Sequence, residues 1–356
     1  MDDLEFIKKA FESCNINFLI GAGASMPAIQ ALGDLENELE NLIENGENDK
    51  VNEKLNNFIR NIIKPNIKIF TINNIEKDKN NENNKKEKKQ KKDIEKTILN
   101  YDNFIKSLIK ILLKRKNDLI LPNINIFTTN YDLFLENSCE NIIKEPNVYF
   151  NYNDGFMYKN SMFRDSIFDI SEYYKIVSYK SKIDYSTSYI PNINIIKLHG
   201  SVNWKISKID NETNIIYNNI NNYNNDDENL SSTTGIVLPT NDKYSDTVLK
   251  KAYYTALRFL SSELEKENSI LFAFGFSFRD EHLNDIIKQV LKTNSSLQLI
   301  ISSFNSEAYK TIKQKFSNYV NVKYLNEEIL KNNKNNETFD FNKINEMLED
   351  ILKDVE

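Results

Sequence analysis

Residues 16–25, INFLIGAGAS, pass from a short apolar run directly into a turn that holds two glycines. An apolar run of this length that stops at glycine is typical of a buried β-strand that ends in a tight turn. Glycine lets backbone N–H groups approach a phosphate closely, and a following helix N-terminus adds a positive dipole. The stretch therefore predicts the first strand of an α/β domain, and its turn is either a nucleotide-binding loop or an ordinary connection.

Three further apolar runs end in small or polar residues, and segments with helical periodicity separate them. Strands that alternate with helices predict a Rossmann-like parallel sheet with helices on both faces. Ligands bind outside the carboxyl ends of the strands in such sheets, so we expect a site at the turns. The runs cover residues 124–128, 193–198 and 270–274, and the turns beside them read TTNYD (128–132), HGS (199–201) and GFS (275–277).

Composition excludes several classes of protein. The 356 residues carry a net charge of −6, which argues against a basic nucleic-acid-binding domain. Two cysteines and two histidines cannot form a zinc ribbon, a disulfide framework or a histidine-rich metal site. No apolar segment approaches the roughly 20 residues of a membrane helix, and the acidic N-terminus does not resemble a signal peptide. We therefore expect a soluble, cytoplasmic protein with no membrane partner.

Asparagine is the most unusual feature of the composition, at 55 of the 356 residues. Many of these residues stand in polar runs, so we attribute the enrichment to base composition of the gene. We accordingly give no weight to a single asparagine unless a motif surrounds it.

Changes in composition along the chain predict its organisation. We expect one domain over residues 1–330, with a mostly helical insertion over about 34–120 that covers the ligand side or mediates oligomerisation. The charged run at 76–93 is expected to be a mobile loop or a frayed helix. We expect an Asn-rich lid or irregular loop over about 203–234, and a polar tail with a short helix over 331–356.

The polar residues at the turns each have a structural and a functional interpretation. Asn130 and Asp132 are either helix caps or ligand-binding groups, because Asn and Asp are favoured at N-caps. His199 is either a structural histidine or a catalytic one. His282 stands where a helix is expected to begin, which favours a solvated helix residue. Trp204 and Tyr131 either close a pocket or belong to the core, and the sequence does not distinguish the two.

Taken together, the four turns resemble those of the sirtuin-like family. GAGAS matches its GAG-x-S phosphate turn, TTNYD its Asn-x-Asp pair, LHGS its His-Gly motif and GFS its Gly-x-Ser turn. The resemblance covers residues 16–280 and implies an NAD-binding Rossmann-like domain. The residues that it assigns are Asn130, His199 and Asp132 to catalysis, and Gly21, Ala22, Gly23, Ser25, Thr129, Gly275 and Ser277 to NAD.

Two departures from the deacylases of this family argue against peptide deacylation. No cysteine follows Cys139, so the four-cysteine zinc module is absent from the sequence and no metal is expected. Met26-Pro27 follows GAGAS, where deacylases continue Gly-Ile-Pro-Asp-Phe-Arg.

Two longer segments resemble a particular subgroup of this family. KLHGSVNW (197–204) and GFSFRDEHL (275–283) are similar to bacterial sirtuin-like proteins of anti-phage defence, above all to those encoded beside a HerA-type translocase. This implies an NAD hydrolase that works as a homo-oligomer or with a partner ATPase. The alternatives are a zinc-free deacylase or ADP-ribosyltransferase, and a non-catalytic nucleotide-binding sensor or scaffold.

Overall fold

A computed structural model places most of the chain. It describes residues 3–29, 35–71, 85–115, 119–157, 165–182, 186–209, 211–223, 230–237, 247–325, 327 and 338–353. Within the charged run at 76–93, residues 85–93 are helical, and the expectation for 76–84 lies outside the described residues, as does that for 331–337.

Helices and strands alternate along most of the chain. The helices are Asp3–Ser13 (α1), Leu35–Glu44 (α2), Asn48–Thr71 (α3), Lys85–Lys114 (α4), Phe134–Ile143 (α5), Leu230–Thr233 (α6), Thr247–Leu264 (α7), Glu281–Thr293 (α8), Ser306–Phe316 (α9) and Phe341–Lys353 (α10). The strands are Asn15–Ile20 (β1), Asn123–Thr128 (β2), Asn151–Asn153 (β3), Ser178–Lys180 (β4), Thr187–Tyr189 (β5), Asn192–Lys197 (β6), Gly200–Ile209 (β7), Glu212–Tyr217 (β8), Thr234–Ile236 (β9), Ser269–Phe274 (β10), Gln298–Ile301 (β11) and Val322–Tyr324 (β12).

The described residues contain a seven-stranded sheet in the order β12-β11-β10-β1-β2-β6-β3. Every pair of neighbours in it is parallel. Side chains of β1 alternate between two cores: Phe18 belongs to a cluster with residues of α1, α4, α5 and α10, and Leu19 belongs to a cluster with residues of α7, α8 and α9. Both faces are therefore covered by helices, which confirms the predicted Rossmann-like α/β fold.

The segment predicted as a mostly helical insertion contains α2, α3 and α4. The inner face of α4 belongs to the core, because Tyr101, Phe104 and Leu108 are buried against the sheet and α10. The C-terminal helix α10 lies where a short helix is predicted within the polar tail, and it buries Ile344 and Leu348. Its apolar residues stand at helical spacing on one face, and this face docks on α4, where Asn345 also donates to Asn100 O at 2.9 Å.

The prediction of an irregular loop over 203–234 is wrong for most of these residues. Strands β7, β8 and β9 form a three-stranded antiparallel sheet in the order β8-β7-β9. Residues Trp204 and Ile215 are buried, and Asn211 occupies the turn between β7 and β8 with φ +64. Asparagine tolerates this left-handed conformation, so Asn211 is explained by a tight turn between two strands rather than by a long irregular loop. Residues 224–229 lie outside the described part.

Asparagines inside the sheet form a ladder across four parallel strands. Asn125 donates to Asn17 Oδ1 (2.9 Å), Asn194 donates to Asn125 Oδ1 (2.9 Å), and Asn153 donates to Asn194 Oδ1 (3.2 Å). A second rung joins Asn192 to Asn123 (2.6 Å) and Asn151 to Asn192 (2.6 Å). Buried amides are stable only when they are hydrogen-bonded, and these bond chiefly to one another. Single asparagines at these positions therefore do carry structural information, contrary to the expectation from composition.

Candidate functional site

The four turns begin on one rung of the parallel sheet. Ile20 of β1 is paired with Phe274 of β10 and with Thr128 of β2, and Thr128 is paired with Lys197 of β6. Neighbouring strands lie about 4.8 Å apart, so the residues that follow these four positions meet at one edge of the sheet. The register thus brings the GAGAS, TTNYD, HGS and GFS turns together, as the sequence predicts.

The GAGAS and GFS turns contact each other through their backbones. Gly23 N donates to Gly275 O at 2.9 Å, and Gly275 has φ +62. A Cβ at Gly21 would stand 2.5 Å from Gly275 O and 2.6 Å from Phe276 Cα. Glycine at position 21 is therefore needed for the approach of two chain segments, independently of any ligand.

Replacing Gly21 with alanine is expected to lower the free energy of unfolding by about 3 kcal/mol, because the methyl group meets backbone that cannot rotate away. Gly46→Ala is the control: its φ is +73, but nothing lies within 4 Å of the added Cβ. The control should lose only about 1 kcal/mol from backbone strain. Urea unfolding measures the free energy of unfolding of both variants. If Gly21→Ala lost no more stability than Gly46→Ala, the packing argument would be contradicted.

Asn130 is buried at the end of β2, and its carboxamide orientation is fixed by acceptors. Its Nδ2 lies 3.2 Å from Gly21 O, 3.1 Å from Ser25 Oγ and 3.5 Å from Tyr101 OH. A carbonyl oxygen can only accept, so the NH2 group must face the GAGAS turn. The opposite atom, Oδ1, is buried and makes no hydrogen bond within the described residues. A buried acceptor without a partner costs about 1–3 kcal/mol, so Oδ1 is suited to a donor brought by a ligand or water.

Ser25 lies behind the turn rather than on its outer surface. Its side chain is buried, and its hydroxyl hydrogen-bonds to Tyr101 OH at 2.9 Å. Ala22 and Gly23 are the exposed residues of the turn, although the Gly23 N–H is already bonded to Gly275. Ser25 therefore supports Asn130, and Tyr101, which sequence analysis did not single out, completes this hydrogen-bond cluster from α4.

A buried lysine supports the same turn from β6. The Lys197 ammonium donates to the carbonyl oxygens of Asn130 (3.5 Å) and Asp132, and it pairs with Glu136 Oε1 at 3.1 Å. Burial raises the pKa values of Asp132 and Glu136, and the Lys197 charge opposes both shifts. Asp132 Oδ1 also accepts from Phe134 N at 3.4 Å, which supports a role in fixing the turn. The only sequence signal for Lys197 was a charged residue inside an apolar run.

His199 faces an acidic partner that sequence analysis missed. Its Nε2 lies 3.0 Å from Asp280 Oδ2, and the two side chains are 18% and 12% exposed. The rings of Tyr131 and Tyr253 flank the imidazole at centroid distances of 6.4 and 6.0 Å. The histidine is thus partly accessible at the sheet edge, with two tyrosine rings nearby.

The remaining predicted residues divide between the edge and the core. Thr129 is half-buried and donates its N–H to Ile20 O, whereas Ser277 is exposed beside Gly275. His282 is exposed on α8. Trp204 packs against Phe156 and Phe168 in a buried aromatic cluster, so of its two interpretations the structure selects the core.

Comparison with known families decides the relationship. The family model for the SIR2-like domain matches residues 124–325, more than half of the chain. This chain belongs to the SIR2-like domain family. The match begins in β2 and includes Asn130, His199 and Gly275, and the GAGAS turn lies before it. SIR2-like domains use NAD, so the family is consistent with NAD-dependent activity. No curated protein matches the chain.

The described residues include neither a candidate metal site nor a membrane-spanning helix. Within those ranges, no three His, Cys, Asp or Glu side chains lie close enough together to bind a metal ion. None of the helices described above is both long and apolar enough to cross a bilayer.

Proposed function

We propose that this SIR2-like domain is an NAD+ glycohydrolase that cleaves NAD to nicotinamide and ADP-ribose. The observation that carries the proposal is the Asn130 carboxamide, whose amino group is fixed by the GAGAS turn while its buried Oδ1 has no partner among the described residues. An acceptor held at the carboxyl edge of a parallel sheet suits a water or a ribose hydroxyl.

Cleavage of the nicotinamide–ribose bond develops an oxocarbenium-like ribose, as at other glycosidic bonds. Nicotinamide leaves readily, so the protein needs to position water and exclude bulk solvent rather than supply a strong acid. In this proposal Asn130 Oδ1 accepts a hydrogen bond from the attacking water or from a ribose hydroxyl. Asp132 holds the Asn130 turn through Phe134 N.

His199 is the proposed base. Imidazole can act as a general base. His199 comes two residues after β6, and Asn130 comes two residues after β2, the strand that pairs with β6. It takes a proton from the attacking water or from a ribose hydroxyl. The exposed backbone at Ala22 and Gly23 faces the pyrophosphate, and Gly275 and Ser277 line the adenosine ribose, as the family resemblance implies.

The biological setting of the proposal depends on the resemblance of two segments, 197–204 and 275–283, to anti-phage proteins. We propose that the chain is the toxic effector of an abortive-infection system in the cytoplasm. It acts as a homo-oligomer, with a HerA-type ATPase as the partner that this resemblance implies. NAD depletion harms the host cell, so we expect low basal activity and activation by the partner.

Nicotinamide and ADP-ribose release from NAD by the purified protein, followed by chromatography, tests the proposal. His199→Ala is expected to reduce release about 100-fold or more, because a positioned base contributes on that order. His282→Ala is the matched control, since His282 is exposed on α8. Equal release by wild type and His199→Ala would remove His199 from the chemistry.

The same assay separates the alternatives. Nicotinamide release that requires an acetylated peptide would indicate a deacylase, and ADP-ribose attached to protein would indicate a transferase. NAD binding without turnover, with and without the product of a neighbouring ATPase gene, would indicate a sensor or scaffold. Any of these results would replace the glycohydrolase proposal.

A further inference from the structure

The turn that carries Asp280 is held rigidly against the domain. Phe278 is buried with φ +54, and its carbonyl oxygen accepts from Asn284 Nδ2 (2.8 Å) and Lys315 Nζ (2.5 Å). Asp280 follows as the N-cap of α8, with Oδ1 accepting from Leu283 N at 3.1 Å. One carboxylate oxygen is therefore committed to the helix, and the other, Oδ2, faces His199.

The contact between Asp280 and His199 determines where the proton of the neutral ring resides. Asp280 Oδ2 lies 3.0 Å from His199 Nε2, and an ionised carboxylate can only accept a hydrogen bond. Nε2 must therefore carry the hydrogen, and Nδ1 retains the lone pair. This assignment applies to the ring orientation that brings Nε2 to Asp280 Oδ2.

We propose that Asp280 is a positioning residue, whose carboxylate fixes neutral His199 as the Nε2–H tautomer and makes Nδ1 the basic atom. During NAD cleavage an O–H bond of the attacking water breaks and an Nδ1–H bond forms. The water oxygen bonds to the ribose C1′, and nicotinamide leaves with the electron pair of the C1′–N bond. The resulting imidazolium keeps its Nε2–H bond to Asp280, which balances its charge. The identity of the reaction rests on the proposed function. The tautomer of His199 does not depend on it and can be measured in the protein without NAD.

Asp280→Asn is the informative variant because it changes the charge and preserves the helix cap. Asparagine is as favourable as aspartate at an N-cap, so Leu283 N keeps its acceptor. The new amide then directs its NH2 group at His199, which favours the opposite tautomer, with the hydrogen on Nδ1. Asp285→Asn, at an exposed position of the same helix, is the control for the change in charge.

Long-range ¹H–¹⁵N correlation spectra at alkaline pH, where imidazole is neutral, report the tautomer directly. The chain has two histidines, so His282→Gln assigns the His199 signals. We expect a pyrrole-type Nε2 with an exchange-protected proton in wild type and in Asp285→Asn, and a change to Nδ1–H in Asp280→Asn. Hydrogen on Nδ1 in wild type, or the same mixture of tautomers in wild type and Asp280→Asn, would overturn the proposal.

Activity gives the second readout. Loss of an orienting carboxylate typically costs 10- to 100-fold, so kcat for NAD cleavage should fall by roughly that factor in Asp280→Asn, with KM little changed. An unchanged kcat would overturn the positioning role. If no NAD cleavage occurs in wild type either, the proposed function fails, while the tautomer measurement still decides the role of Asp280.

Discussion

Asn130→Ala is expected to reduce nicotinamide release about 1,000-fold while the protein remains folded. Placement of the reacting water and electrostatic support of the transition state each contribute factors on the order of 100 to 1,000. Asn130 has a part in both, because its Oδ1 is the buried acceptor and its Nδ2 bridges Gly21 O and Ser25 Oγ. Chromatographic product release at saturating NAD is the measurement.

The control for Asn130→Ala is another buried asparagine that lies far from the four turns. Asn321 donates to Leu291 O and Leu297 O at the opposite end of the sheet, so Asn321→Ala should cost stability without changing kcat. Loss of activity in Asn321→Ala as large as in Asn130→Ala would show that the effect reports folding alone. Full activity in Asn130→Ala would contradict the proposed reaction geometry.

Lys197→Met is expected to lower the free energy of unfolding by about 3–5 kcal/mol at pH 8, the usual cost of removing one partner from a buried ion pair. The Lys197 side chain is 1% exposed and neutralises Glu136 beside Asp132. Without this lysine, burial raises the pKa values of both carboxyl groups further, since the opposing charge is gone.

The direction of the pH dependence follows from that shift. A carboxyl group whose pKa is higher in the folded than in the unfolded protein costs stability as pH rises through that interval, because the unfolded chain releases its proton first. The loss in free energy of unfolding caused by Lys197→Met should therefore be smallest near pH 4 and should grow toward neutral pH. Urea unfolding at several pH values measures it.

Two further variants test whether the charge itself is responsible. Lys9→Met removes a lysine from an exposed pair with Glu5, which water screens, and should change the free energy of unfolding far less than Lys197→Met. The double variant Lys197→Met/Glu136→Gln should recover part of the loss, because one uncompensated carboxylate is removed with the lysine. A deficit below 1 kcal/mol for Lys197→Met at pH 8 would contradict the argument.

The strands and the turns at their ends could be predicted from the sequence because both depend on local patterns of residues. Apolar runs that stop at glycine or polar residues predicted β1, β2, β6 and β10, and the geometry of parallel sheets placed Asn130 and His199 at one edge. Glu136, Tyr101 and Asp280 were missed because they reach the site through contacts between elements remote in sequence. Periodicity says which face of a helix is buried, but not which polar side chain will meet a partner there.

The ladder asparagines were missed for a different reason. Asn-x-Asn begins each of β1, β2, β3 and β6, a repeat visible in the sequence. The high overall frequency of asparagine concealed the repeat, since single residues carried no information against that background. Only strand pairing shows that residues 17, 125, 194 and 153 stand side by side.

That ladder has a consequence for how the chain selects one alignment of its strands. The apolar positions of β1, β2 and β6 are nearly interchangeable isoleucines and phenylalanines, so a slip of two residues would preserve the buried faces. The same slip would set Asn125 opposite Leu19 and leave buried amides without partners, at about 1–3 kcal/mol for each group. The amides therefore penalise misaligned strand pairings that hydrophobic burial alone would tolerate, which makes them determinants of folding specificity at the end of the sheet remote from the turns.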